Sequence, residues 1–107
     1  MANEAAMAAR TVIQFYEDHG GEKAWTQGEW ARDIQGKKVP HRAPEAVCWC
    51  IDGAVGVAIG WQQDEARILL DVLNKMQCVA GISGWNDDPK RTYRDVINLL
   101  QRVAVGD

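Results

Sequence analysis

The chain lacks a charge excess of either sign: 12 Lys and Arg face 15 Asp and Glu, a formal net charge of −3. Dedicated nucleic-acid binders usually carry a basic surplus, so this balance argues against one. It is also too mild for an acidic mimic of DNA. No apolar run reaches the roughly 20 residues that span a bilayer; the longest, 46–61, contains Asp52 and reads as a buried helix. The opening residues, Met1 to Ala6, show no basic region followed by an apolar stretch, so no export signal is expected. No phosphate loop, dinucleotide fingerprint or serine elbow occurs, which removes the common nucleotide-binding and hydrolase signatures. There is no internal repeat and no low-complexity linker.

What is present is an average globular composition, 47% hydrophobic and 25% charged, in 107 residues. That length has room for one core, so residues 1–107 are expected to form a single helical domain with a hairpin insertion at about 25–42. Five tryptophans stand beside a single phenylalanine. Tryptophan combines a large apolar body with one N–H donor, and so marks core corners and interfaces. The three cysteines, Cys48, Cys50 and Cys78, are an odd number. Reduced thiols in the cytoplasm are the natural reading.

Hydrophobic periodicity predicts about four helices. Ala5, Ala9, Val12, Ile13 and Tyr16 recur at spacings of three and four, which makes one apolar stripe over 3–19. Gly20 and Gly21 end it. In 25–42 the pattern breaks; Asp33 to Gly36 reads as a turn, and 29–33 is expected to pair with 37–40 as a hairpin. Pro44 and Glu45 suit the first turn of a helix over 44–60. On it Ala46, Cys50, Ala54 and Ala58 would form a small-residue stripe opposite Val47, Ile51, Val55 and Ile59. A third helix, 63–79, places Ala66, Leu69, Leu73, Met76 and Ala80 on one face. Residues 81–89 read as a loop with one helical turn at its start. Thr92 and Asp95 resemble a capping box ahead of a last helix carrying Tyr93, Val96, Ile97, Leu100 and Val103. The fold class is therefore mainly α (α+β): about four helices round one core, with a small β-hairpin between the first two.

Each constellation that could carry chemistry has a plainer alternative. Cys48 and Cys50 on a helix would point about 200° apart and could not share an ion. Cys50 as a nucleophile, with His41 as base and Asp52 or Asp33 as orienter, needs a lowered thiol pKa. Two turns into a helix the terminal effect has faded. Asp87 and Asp88, before Pro89, fit turn and cap roles better than a carboxylate pair. Asp52, on an otherwise apolar helix, needs a partner if buried, and Arg32 or a tryptophan N–H would serve. Arg32, Lys37, Lys38, His41 and Arg42 could hold single-stranded nucleic acid beside Trp25 and Trp30; a solvated hairpin accounts for them more simply.

Three ordered blocks carry a resemblance. The segment from Trp25 to Gly28, followed by Ala31 to Asp33 and Gly36, resembles the opening of a small uncharacterised bacterial and phage domain. The stretch Ala46 to Ala54 is similar to that family's Trp-Cys-x-x-Gly-Ala segment, and Trp85 to Thr92 looks like its closing block. Asp88 and Lys90 stand where a small residue and a glycine are expected. The resemblance implies a bacterial or phage setting and no particular activity.

The leading expectation is a non-enzymatic domain that binds a protein partner as an accessory or regulatory factor. Inhibition of a host system is one form of this if the chain is phage-encoded. No cofactor, metal or membrane is called for, nucleic acid ranks last among partners, and self-association stays open. The alternative is a small-ligand site or small enzyme between segment 25–33 and loop 85–88. Either way the candidate binding residues are Trp25, Gln27, Arg32, Asp33, Trp85, Asn86 and Asp87, because both segments join an aromatic ring to hydrogen-bonding groups outside the core.

Overall fold

The computed structural model describes residues 3–77 and 81–106. Cys78 and Ala80, expected in or beside the third helix, lie outside them. The first helix, α1 (Glu4–Asp18), starts where the Asn3 side chain accepts the Ala6 N–H at 3.1 Å. It ends before Gly20, whose φ of 112° only glycine adopts readily. Its stripe Ala5, Ala9, Val12 and Tyr16 is buried, joined by Ala6, Ala8 and Phe15. Small side chains on this face let α1 lie close to α3 (Asp64–Gln77) and α5 (Tyr93–Ala104), its main neighbours. Ala66, Leu69 and Leu73 of α3 and Val96, Leu100 and Val103 of α5 meet it there, as the periodicity requires. The Arg10 guanidinium pins the end of α5 through the Ala104 carbonyl at 2.6 Å.

The capping box forms in full: Asp95 N–H donates to the Thr92 hydroxyl, and Thr92 N–H to the Asp95 carboxylate. A short helix, α4 (Ile82–Asn86), occupies the start of the 81–89 segment. The fold is mainly helical, with a small antiparallel strand pair between the early helices.

The second helix departs from expectation. It covers only Ile51–Ala58 (α2); Pro44 and Glu45 ahead of it lie in a turn, and the chain is extended from Cys48 to Cys50. Cys48–Trp49 form a strand (β2) paired antiparallel with Ala31–Arg32 (β1), Ala31 opposite Trp49 and Arg32 opposite Cys48. The expected turn at Asp33 to Gly36 is present, and Arg32 bridges Lys38 across it, but the longer pairing is with β2. Tertiary bonds explain the change. The Trp49 carbonyl accepts both the buried Tyr16 hydroxyl at 3.0 Å and the Thr26 N–H at 3.2 Å. A helix through Trp49 would use that carbonyl internally and leave both donors without it, the Tyr16 hydroxyl in the core. Aromatic and β-branched residues at 47–49 also accept a strand readily. The proposed stripe therefore dissolves: Ala46 precedes the helix, Cys50 caps it, and Ala54 is fully buried while Ala58 is half-buried.

Candidate functional site

Segment 25–28 lies against 86–88, and the contact is built on Asn86. This is a fully buried polar side chain, so its groups need partners. Its Oδ1 accepts the Trp25 indole N–H at 2.8 Å and the Ile51 N–H at 3.1 Å. Its Nδ2 donates to the Thr26 carbonyl and the Asp87 carboxylate. Gln27 bridges the same elements, donating to the carbonyls of Asn86 and Asp88. The Gly28 N–H donates to Asp87 Oδ1 at 2.9 Å. Eight chain positions thus close a clasp that joins the approach to β1, the start of α2 and the end of α4.

The other candidate residues stand around this clasp. Arg32 donates to the Thr26 hydroxyl and to the Gln27 and Gly36 carbonyls. It braces the 26–36 loop and does not partner Asp52. Asp33 takes the Gln35 and Lys37 N–H groups, closing its turn. Trp85 is buried, with the Arg91 guanidinium 4.1 Å from its ring centroid. Asp88 accepts the Lys90 N–H, the turn role expected of the acidic pair.

Beside the clasp opens a cleft of about 340 Å³, lined by Gly28, Glu29, Trp30, Cys50, Ser83 and Asp87. Of the seven candidate binding residues only Asp87 lines it; Cys50 and Trp30 were weighed from sequence for other roles, as a nucleophile and as a stacking platform for nucleic acid. Glu29 and Ser83 were missed, and Trp30 was not placed at this site, because their exposure follows from how β1 and α4 are set against α2, which no local pattern records. Trp30 is the conspicuous member, 52% exposed. Its ring leans on Trp61 at 4.9 Å between centroids; His41 stacks on Trp61 at 4.1 Å and stands edge-on to Trp30 at 6.1 Å. Its carbonyl accepts the Cys50 N–H and lies hard against Gly53.

Cys50 is the N-cap of α2, its sulfur accepting the Gly53 N–H at 3.3 Å, rather than a residue two turns in. Cys48, in β2, turns its sulfur toward the Arg32 carbonyl instead, so the partners of the two thiols, not helical spacing, set them apart. A helix N-terminus normally lowers a thiol pKa. Here burial outweighs it: the Cys50 thiol is pushed up to about 11, with the Gly53 bond opposing and the charges of Asp52 and Asp87 adding to the rise. At pH 8 only about one molecule in a thousand would carry the thiolate. Cys50 is accordingly expected to resist iodoacetamide in the native state and to react at the rate of a free thiol in urea. Peptide mapping of the labelled sites measures this, and rapid native labelling of Cys50 would refute it.

Asp52 lies behind the cleft. The Trp61 indole N–H donates to its backbone carbonyl at 2.9 Å, whereas the expectation from sequence was a tryptophan N–H on the carboxylate. Burial raises the Asp52 carboxyl above the usual range, while Trp61, Ser83 and His41 act to lower it. The His41 imidazole is lowered by burial and by Arg42, against a rise from Asp52. Among the described residues no group of three or more His, Cys, Asp or Glu is arranged to hold a metal ion. Among the described residues no helix is long and apolar enough to cross a membrane.

No curated protein and no solved structure matches this chain. A family of unknown function, DUF6197, matches residues 5–105. That span takes in the clasp, the cleft and every helix that carries them, and the chain belongs to this family.

Proposed function

We propose that the chain is a non-enzymatic domain that binds a protein partner, acting as an accessory or regulatory factor, through the cleft rim that Trp30 dominates. The observation that carries this reading is the presentation of Trp30. A half-exposed indole is costly in solubility and is the side chain most enriched at interface hot spots. This one is fastened in place: its backbone is clamped to the start of α2 and its ring rests on Trp61. A pre-ordered side chain loses little entropy on docking. The indole N–H has no partner among the described residues and stays available to one.

In this reading Trp25, Gln27, Arg32, Asp33, Trp85 and Asn86 serve the surface by holding it, while Asp87 also faces the partner. The cysteine chemistry supports the same view, because a thiol held neutral at the cleft is a poor nucleophile. The nucleic-acid reading is weakened by Arg32, whose guanidinium donors are turned onto loop acceptors. A small-ligand reading has one observation in its favour, the cleft's volume, which is at the low end for ligand pockets. A cytoplasmic setting in a bacterium or phage-infected cell fits the reduced thiols.

The test replaces Trp30, Ser83 and, as a control at an exposed position of α5, Gln101 singly with a photo-crosslinking amino acid in the producing cell. One protein adduct shared by positions 30 and 83 and absent at 101 is the expected result. Adducts distributed alike over all three positions, or none at 30 and 83, would remove the reading.

A further inference from the structure

The cleft's charge narrows the kind of partner. Two of its six lining residues, Glu29 and Asp87, are acidic, a third carboxyl, Asp52, lies behind it beside Ser83, and no lysine or arginine lines it. The nearest cation is Arg32, whose guanidinium reaches the edge at Gly28 but is spent on Thr26, Gln27 and Gly36. His41, stacked on Trp61 and edge-on to Trp30 at 6.1 Å, is held toward its neutral form. Asp87 spends one oxygen on Gly28 and Asn86. Glu29 has no ion-pair or hydrogen-bond partner among the described residues. The wall beside these acids is the exposed Trp30 indole.

An aromatic face next to unspent carboxylates, in a depression too small for a folded element, suits one long cationic side chain. The alkyl stem packs on the ring and the charged head meets the acids. An arginine satisfies this best, since its planar guanidinium both stacks on indole and bonds carboxylates in pairs. We propose that the cleft receives an arginine or lysine side chain from a basic segment of the partner polypeptide, seated on Trp30 between Glu29 and Asp87. This rests on the protein-binding reading above and names the chemistry of its partner.

Three blocked pentapeptides, Gly-Gly-X-Gly-Gly with X as arginine, its neutral isostere citrulline, or glutamate, would be titrated into isotopically labelled full-length protein at low salt. Free agmatine would be titrated in parallel. The arginine peptide should give saturable amide shifts at Gly28, Glu29, Ser83 and Asp87 and at the Trp30 indole; the citrulline and glutamate peptides should not. Glu29→Gln or Trp30→Ala should each weaken it about three- to fivefold, with the rest of the spectrum unchanged. An equal response to citrulline, or shifts scattered away from the cleft, overturns the proposal. Agmatine binding as tightly as the peptide overturns the polypeptide occupant and assigns the cleft to a small amine. An adduct from position 30 that maps to a partner segment free of arginine and lysine overturns this proposal while leaving the protein-binding role standing.

Discussion

Asn86→Ala is expected to cost about 3–5 kcal/mol, enough to unfold much of the population in a domain of ordinary stability. The deletion empties the hub of the clasp. The Trp25 indole N–H and the Ile51 N–H lose their acceptor, and the Thr26 carbonyl loses its donor, in a place that is fully buried. Each orphaned group costs roughly 1–3 kcal/mol when water cannot replace the lost partner. Gln27→Ala breaks two bonds at the exposed edge of the same clasp and should cost far less, about 1 kcal/mol. Asn86→Asp keeps the shape and the acceptor but turns an oxygen toward the Thr26 carbonyl and the Asp87 carboxylate. At neutral pH it should therefore be no more stable than the alanine variant. Urea melts followed by tryptophan fluorescence would rank the three. An Asn86→Ala loss below 1 kcal/mol would show that the clasp is ornamental to the fold.

Gly53→Ala should be the most damaging single methyl group in the chain. A Cβ there would lie 2.2 Å from the Trp30 carbonyl oxygen and 3.0 Å from its carbon, and both atoms are backbone. Nothing flexible can yield. Either α2 moves away from β1 or the Trp30 peptide shifts, and the second would break the bond from the Cys50 N–H. The expected loss is about 3 kcal/mol or more, by overpacking compounded with a lost buried bond. Gly84→Ala, in α4, is the matched control: no atom lies within 4 Å of its Cβ position. There the helix gains about 0.5–1 kcal/mol from the more restricted unfolded chain. Thermal melts of the two variants should thus move in opposite directions. A Gly53→Ala variant as stable as the parent would mean that β1 and α2 are not in contact as described, and the seat of Trp30 would fall with it.

Local pattern was enough for the helices whose signals are repetitive. The stripe of α1, the heptad-like spacing of α3, and the Thr92–Asp95 capping box of α5 each depend on residues within a few positions of one another. Segments 25–33 and 85–88 were legible as places where polar and aromatic groups gather outside the periodic core. That Trp25 and Gln27 would bond to Asn86, some sixty residues away, was not; only the packing of α4 against α2 brings them together.

The stretch 44–50 shows where tertiary structure took the decision. Its small and apolar residues are compatible with a helix, and nothing nearby forbids one. The buried Tyr16 hydroxyl and the Thr26 N–H both require the Trp49 carbonyl, and an unsatisfied donor in the core outweighs the weak local preference of a few residues. Shortening α2 then made Cys50 its cap and brought the Trp30 backbone against Gly53. The cleft followed from that contact. Periodicity and capping, which are short-range, were enough to set the mainly helical class. Tertiary structure decided where the second helix begins and which tryptophan faces solvent, because those depend on buried donors finding acceptors far along the chain.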